Sequence, residues 1–134
     1  MKRLALILPI IAVFSSLVFA GAIKENSLTG SSDGSTIVIR WLSEDESGVA
    51  RFEIERKAGL TGSFFPLSVI SPRGNNSAYE YLDESAFRSA ERVYQYQVKV
   101  VFTDGTSVDY GPITVSHQTS DVKRTWGSIK AMFR

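Results

Sequence analysis

The chain has 134 residues, 15 Lys and Arg against 14 Asp and Glu, a formal net charge of +1 and no cysteine. That length fits one domain plus a targeting segment and a tail. Without cysteine there is no disulfide staple, no thiolate nucleophile and no Cys-based metal site, and a net charge this small gives no ground for a nucleic-acid partner.

The chain opens on Lys2 and Arg3, followed by an uncharged run from Leu4 to Ala20 that ends in small residues. A charged start, an apolar middle and a small-residue end describe a secretory signal peptide over 1–20, cleaved after Ala20 or, two residues later, after Ala22. Pro9, Ser15 and Ser16 weaken the alternative, a retained membrane anchor. The expectation is an exported protein of the periplasm, the cell surface or the extracellular space.

From there the pattern has period two, as in strands half-buried against a second sheet. The first strand is expected at about 23–29. Ile37, Ile39 and Trp41 then point one way while Thr36, Val38 and Arg40 point the other. Phe52, Ile54 and Arg56 alternate with Arg51, Glu53 and Glu55, and further strands fall at about 64–70 and 78–82. Tyr94, Tyr96, Val98, Val100 and Phe102 form the clearest strand, and a last one spans about 108–116. Turn clusters at 32–35, 44–48 and 73–76 separate these runs, and Asp104-Gly105 has the composition of a two-residue hairpin loop. Pro112 cannot donate to a ladder, so the last strand is an edge or carries a bulge there. Seven short strands between turn clusters argue for a β-sandwich over 23–117, with Trp41, Phe52, Ile54, Tyr94, Tyr96 and Val98 as its core.

The order Ile37-x-Ile39-x-Trp41, Phe52-Glu53-Ile54-Glu55-Arg56, Tyr81-x-Asp83, Tyr94-x-Tyr96-x-Val98-x-Val100 resembles a fibronectin type III domain over about 28–116. The resemblance implies a seven-stranded immunoglobulin-like fold, all β, in which Trp41 fills the core centre. It also implies that Tyr94 makes the tyrosine corner, its hydroxyl bonded to nearby backbone. Binding, adhesion or spacing is the role it implies. The segment 83–92 is longer and more charged than a plain connection, with room for a helical turn and an inward Phe87.

Catalysis finds little support. His117 stands alone where the last strand runs out and reads as a surface residue. Glu53 and Glu55 read as a solvated stripe opposed by Lys or Arg rather than an acid–base pair. Glu44-Asp45-Glu46 offers oxygens to a calcium ion but lacks the alternating spacing of a calcium loop, so it reads as a hydrated acidic loop. Arg73-Gly74-Asn75 has Asn where an integrin-type tripeptide needs Asp. No catalytic residue, cofactor, metal or small-molecule substrate is expected.

The tail, 118–134, differs in character. It holds Lys123, Arg124, Lys130 and Arg134 against Asp121, whereas residues 21–117 carry nine basic and thirteen acidic side chains. Val122, Trp126, Ile129 and Phe133 stand at i, i+4, i+7 and i+11, one stripe of a short basic amphipathic helix. Ser120 is placed to cap its start, and Gly127 weakens its interior by about 1 kcal/mol. Three receivers are open: the chain's own sandwich, a second copy or an envelope protein, and a membrane surface. The reading favoured by the sequence is a non-catalytic exported binding or assembly module. Its contacts, with a protein partner or with itself, run through Val122, Lys123, Arg124, Trp126, Ile129, Lys130, Phe133 and Arg134. The alternative is an envelope protein whose tail is a peripheral membrane, sorting or export element.

Overall fold

The structure is a computed structural model that describes residues 21–86 and 92–117. Seven antiparallel strands form two sheets. They are β1 (Thr29–Ser32), β2 (Ile37–Leu42), β3 (Val49–Ala58), β4 (Phe65–Ile70), β5 (Ala78–Asp83), β6 (Val93–Phe102) and β7 (Ser107–Ser116). One sheet has the order β1-β2-β5 and the other β4-β3-β6-β7. This is a seven-stranded, immunoglobulin-like β-sandwich. Among the described residues no helix is long and apolar enough to cross a membrane.

Alternation decides which side chains meet between the sheets. Ile37, Ile39 and Trp41 from β2, Phe52 and Ile54 from β3, and Tyr94, Tyr96, Val98 and Val100 from β6 are all buried. β-branched and aromatic residues suit a pleated, half-buried surface, and they supply all of these buried positions. At the centre Trp41 stacks on Tyr79, ring centroids 5.1 Å apart and planes 7° from parallel. Phe52 lies tilted against both, at 5.9 and 4.9 Å. Burying each such ring contributes on the order of 2–3 kcal/mol, with about 0.5–1.5 kcal/mol more for each well-placed aromatic pair.

Three local features depart from the sequence pattern or sharpen it. Residues 23–29 do not form a strand: Ile23 makes a single bridge to Ser43, and regular pairing starts at Thr29. The chain turns in between, where the Ser27 amide donates to the Lys24 carbonyl and Asn26 takes a left-handed φ of 60°. The Asp104-Gly105 hairpin is not a two-residue loop. The Gly105 amide donates to the Phe102 carbonyl, and the Phe102 amide to the Thr106 carbonyl. Of the loop residues only Gly105 has positive φ, the geometry of a three-residue loop closed by a glycine bulge. Finally, β7 is an edge strand and also carries a bulge. Tyr96 pairs with Ile113 and Val98 with Tyr110, so Gly111 and Pro112 together face Gln97.

Candidate interaction surface

The sandwich buries several polar side chains, among them Asp83, Glu46, Glu55 and His117. Asp83 ends β5 and is 1% exposed. One carboxylate oxygen accepts from Arg56 Nη1 at 2.6 Å and Tyr96 Oη at 2.7 Å, and the other from the Ser85 amide and hydroxyl at 3.0 and 2.7 Å. Arg56 lies among aromatic rings, its Cζ 5.1 Å from the centroid of Tyr94 and 5.2 Å from that of Phe65. Burial pushes the Asp83 carboxyl upward. The bonds from Tyr96, Ser85 and Arg56 together outweigh that and hold it below its ordinary value. Burial, and then the facing carboxylate, raise the Tyr96 phenol. An ionised, saturated carboxylate is a weak base, and the arrangement acts as a clamp between the two sheets.

A second clamp closes the opposite end. Glu46, in the loop between β2 and β3, accepts from the Gly74 amide at 2.7 Å and from the Tyr79 hydroxyl. The Arg73 amide donates to Tyr79 Oη at 2.8 Å, and the Glu46 amide to Asn75 Oδ1 at 2.7 Å. Burial raises the Glu46 carboxyl, but the Tyr79, Ser43, Gly74 and Arg73 bonds together bring it below its usual range. The acidic loop is therefore not simply hydrated. Asp45 binds the Ser47 amide and Glu46 is consumed in the fold, which also gives Arg73-Gly74-Asn75 a structural role. Among the described residues no three His, Asp or Glu side chains are grouped to hold an ion.

Two further sequence expectations are corrected. His117 is not a surface residue: it is 6% exposed, with Nδ1 2.6 Å from Ser32 Oγ and its amide bonded to the Arg92 carbonyl. Its neighbours come from both sheets, which the local sequence does not announce. Glu55 is also buried rather than solvated, taking a hydrogen bond from Gln97 at 3.1 Å with Lys99 Nζ at 3.6 Å. Glu53, by contrast, pairs with Arg51 at 2.7 Å on the open face. Tyr94 does make the corner bond, its hydroxyl donating to the Ala86 carbonyl at 2.7 Å.

Among the described residues Trp41 Nε1 and Arg56 Nε are buried without a hydrogen-bond partner, and the contact chemistry falls to the surface. Leu60, on the β3–β4 hairpin, and Phe65, at the start of β4, are exposed at the end of the sandwich where β1, β5 and β7 finish. Leu42 and Leu82 are exposed on the outer face of the three-stranded sheet, around the Arg40–Glu80 ion pair at 2.7 Å. An open groove of about 970 Å³ lies between the N-terminal segment and β7. Ile23, Leu28, Tyr110 and Ile113 supply its apolar lining, and Lys24, Glu25 and Glu44 its charged one. The tail residues Val122, Lys123, Arg124, Trp126, Ile129, Lys130, Phe133 and Arg134 lie outside the described residues, as does Phe87. The chain reaches them from His117, at the same end as Leu60 and Phe65.

No protein-family model matches the chain, and no curated protein matches it. Among solved structures it is similar to pectate lyase PelI from Erwinia chrysanthemi, at 24% identity and a TM-score of 0.53. That match covers 66% of this chain and 27% of the lyase chain, so this chain spans about a quarter of that protein. A Fn3-like protein from Clostridium thermocellum matches at 17% identity and a TM-score of 0.48, over 66% of this chain and 85% of the other. The likeness to the lyase is one of fold alone, and the class defined here is the immunoglobulin-like β-sandwich.

Proposed function

We propose that this chain is an exported, non-catalytic binding and assembly module of the fibronectin type III kind, and that it makes its contacts through residues 118–134. The observation that carries this reading is the anchoring of His117. Its amide is bonded to Arg92 and its ring to Ser32, so the basic, apolar-striped tail starts from a fixed point on the body. The saturated state of Asp83 and Glu46 supports the non-catalytic half. Neither carboxyl is poised near neutrality, as a general acid or base would be.

The partner is a protein, either a second copy or an envelope component. The mildly acidic body and basic tail favour contacts of tail to body, and such contacts propagate when the rotation between copies does not close. Sedimentation velocity on the mature protein, with and without residues 118–134, tests this. The full chain is expected to associate as concentration rises, and the truncated chain to stay monomeric. Identical monomers at high concentration, together with no envelope protein crosslinked through a photoreactive residue at 126, would sink the reading. Flotation with anionic vesicles separates the membrane alternative, which requires the tail to carry the protein upward with the lipid.

A further inference from the structure

The two outer faces of the sandwich are made of different residues. On the four-stranded sheet, β3 and β6 set Glu53 against Lys99 and Glu55 against Gln97, a polar surface that satisfies itself through ion pairs and hydrogen bonds. On the three-stranded sheet, the outward positions of β2 and β5 pair Val38 with Leu82, Arg40 with Glu80 and Leu42 with Ala78. Leu42 and Leu82 are 43% and 48% exposed, and Arg40 and Glu80 between them neutralise each other at 2.7 Å. The length of β2 makes this face about 17 Å long, and three strands make it about 10–15 Å wide. An acidic side chain stands at each end: Glu44 lies two residues beyond Leu42, and Glu84 follows Asp83 at the end of β5. Both are exposed, and neither forms an ion pair with a described residue.

We infer that the outer face of the three-stranded sheet receives the tail of a second copy. The inference rests on the proposed role of residues 118–134 and names the surface of the body that they meet. Read as a helix, the stripe from Val122 through Trp126 and Ile129 to Phe133 runs about 17 Å, on a cylinder about 10 Å across. Those dimensions match the face, and the stripe's apolar side chains match Val38, Leu42 and Leu82. Lys123 and Lys130 lie toward the two ends of the stripe, as Glu84 and Glu44 lie at the two ends of the face. The four-stranded sheet offers no comparable apolar floor. His117 is bonded to Ser32, the last residue of β1, so the tail starts at a corner of the three-stranded sheet. At that corner β7 is directed out of the sandwich and away from Leu42, at the far end of the chain's own face. Each copy thus carries one tail and one face on different parts of its surface, a heterologous pair that extends from copy to copy. The footprint is well under the about 800 Å² per partner of a standard interface, so the contact is weak and depends on concentration.

The test is to crosslink a chain of residues 21–134, carrying a photoreactive residue at 126, at rising concentration and to identify the linked peptide by mass spectrometry. A covalent dimer linked to β2 or β5 is expected. A link within one copy, or to another part of a neighbour's body, overturns the assignment and leaves the tail standing as the contact element. No link and no association at any concentration overturns the tail reading as well. In a second arm, Leu42→Arg with Leu82→Arg should weaken the association seen in sedimentation velocity by about tenfold or more for each leucine. Circular dichroism checks that this variant keeps its strands. Glu44→Lys with Glu84→Lys, which leaves the apolar floor intact, should weaken the association too, and adding Lys123→Glu with Lys130→Glu should restore it. Unchanged association in the lysine variant, or a charge swap that restores nothing, removes the charge match on which the choice of face rests.

Discussion

At the scale of single residues, Asp83 gathers Arg56, Tyr96 and Ser85 onto one buried carboxylate. Asp83→Ala leaves the Arg56 guanidinium buried without its counter-charge, an arrangement that costs about 3–5 kcal/mol. That approaches the whole stability of a small domain, so Tyr96→Phe is the more tractable probe. It removes one of four hydrogen bonds on the carboxylate, and urea unfolding should register a loss of about 1–2 kcal/mol. The pH dependence follows from the lowered carboxyls of Asp83 and Glu46. A carboxyl whose folded value lies below its unfolded one stabilises fully above the unfolded value, here 3.8 and 4.5. That contribution is lost as pH falls through the lowered folded values. The melting temperature should therefore lose nothing through these two groups from neutrality down to about pH 5 and drop steeply below about pH 4. Asp83→Asn, weaker throughout, should show a shallower acid drop; an unchanged acid slope in that variant would count against the assignment. The two halves of this clamp were partly legible in the sequence. Arg56 shares the inward parity of Phe52 and Ile54, and Asp83 that of Tyr79 and Tyr81. What the sequence does not supply is their mutual approach, which depends on how one sheet lies over the other.

At the scale of elements, the strands with strong alternation, β2, β3 and β6, could be read from the sequence directly. β1 could not. The turn at Lys24–Ser27 depends on a left-handed Asn26, a conformation that Asn tolerates but does not announce. The short β1 keeps its place through Gly30, where a Cβ would lie 2.5 Å from Val115 Cγ2 and 3.0 Å from Ile113 Cδ1. Those side chains belong to β7, so this glycine sets how closely the two edge strands approach. Gly30→Ala should destabilise by about 1–3 kcal/mol through overpacking. Combining it with Val115→Ala, which clears the space, should recover part of that loss, giving a coupling energy that independent sites would not show. Chemical denaturation of the four members of the cycle measures it. The burial of His117 was illegible for the same reason as the β1 position: Ser32, its partner, stands 85 residues away in the chain. A strand-end histidine with no local partner reads as exposed until the edge of the other sheet is known to pass beside it.

At the scale of the whole molecule, a sandwich without disulfides depends on its two sheets failing together. Two clamps favour this. Asp83 on β5 joins the three-stranded sheet to Arg56 on β3 and Tyr96 on β6, and at the other end Glu46 joins the β2–β3 loop to Tyr79 on β5 and to Gly74. Between them the Trp41–Tyr79–Phe52 cluster spans the interface, Phe52 from one sheet and the other two from its partner. Neither sheet can separate without exposing both a buried charge and an aromatic face, so an intermediate with one sheet intact carries the cost of breaking the interface and keeps little of the gain. A chain of residues 21–134 is therefore expected to unfold in urea as a single transition. Its slope should be about 1–3 kcal/mol per molar urea, as for small two-state domains. The chain has two tryptophans, so Trp126→Phe makes Trp41 the only one and its fluorescence a report on the interface itself. The fluorescence midpoint should coincide with the far-ultraviolet circular dichroism midpoint, which follows the strands. A fluorescence change that clearly precedes the loss of strand signal would mean that the interface opens while the sheets persist, and that the clamps do not bind them into one cooperative unit.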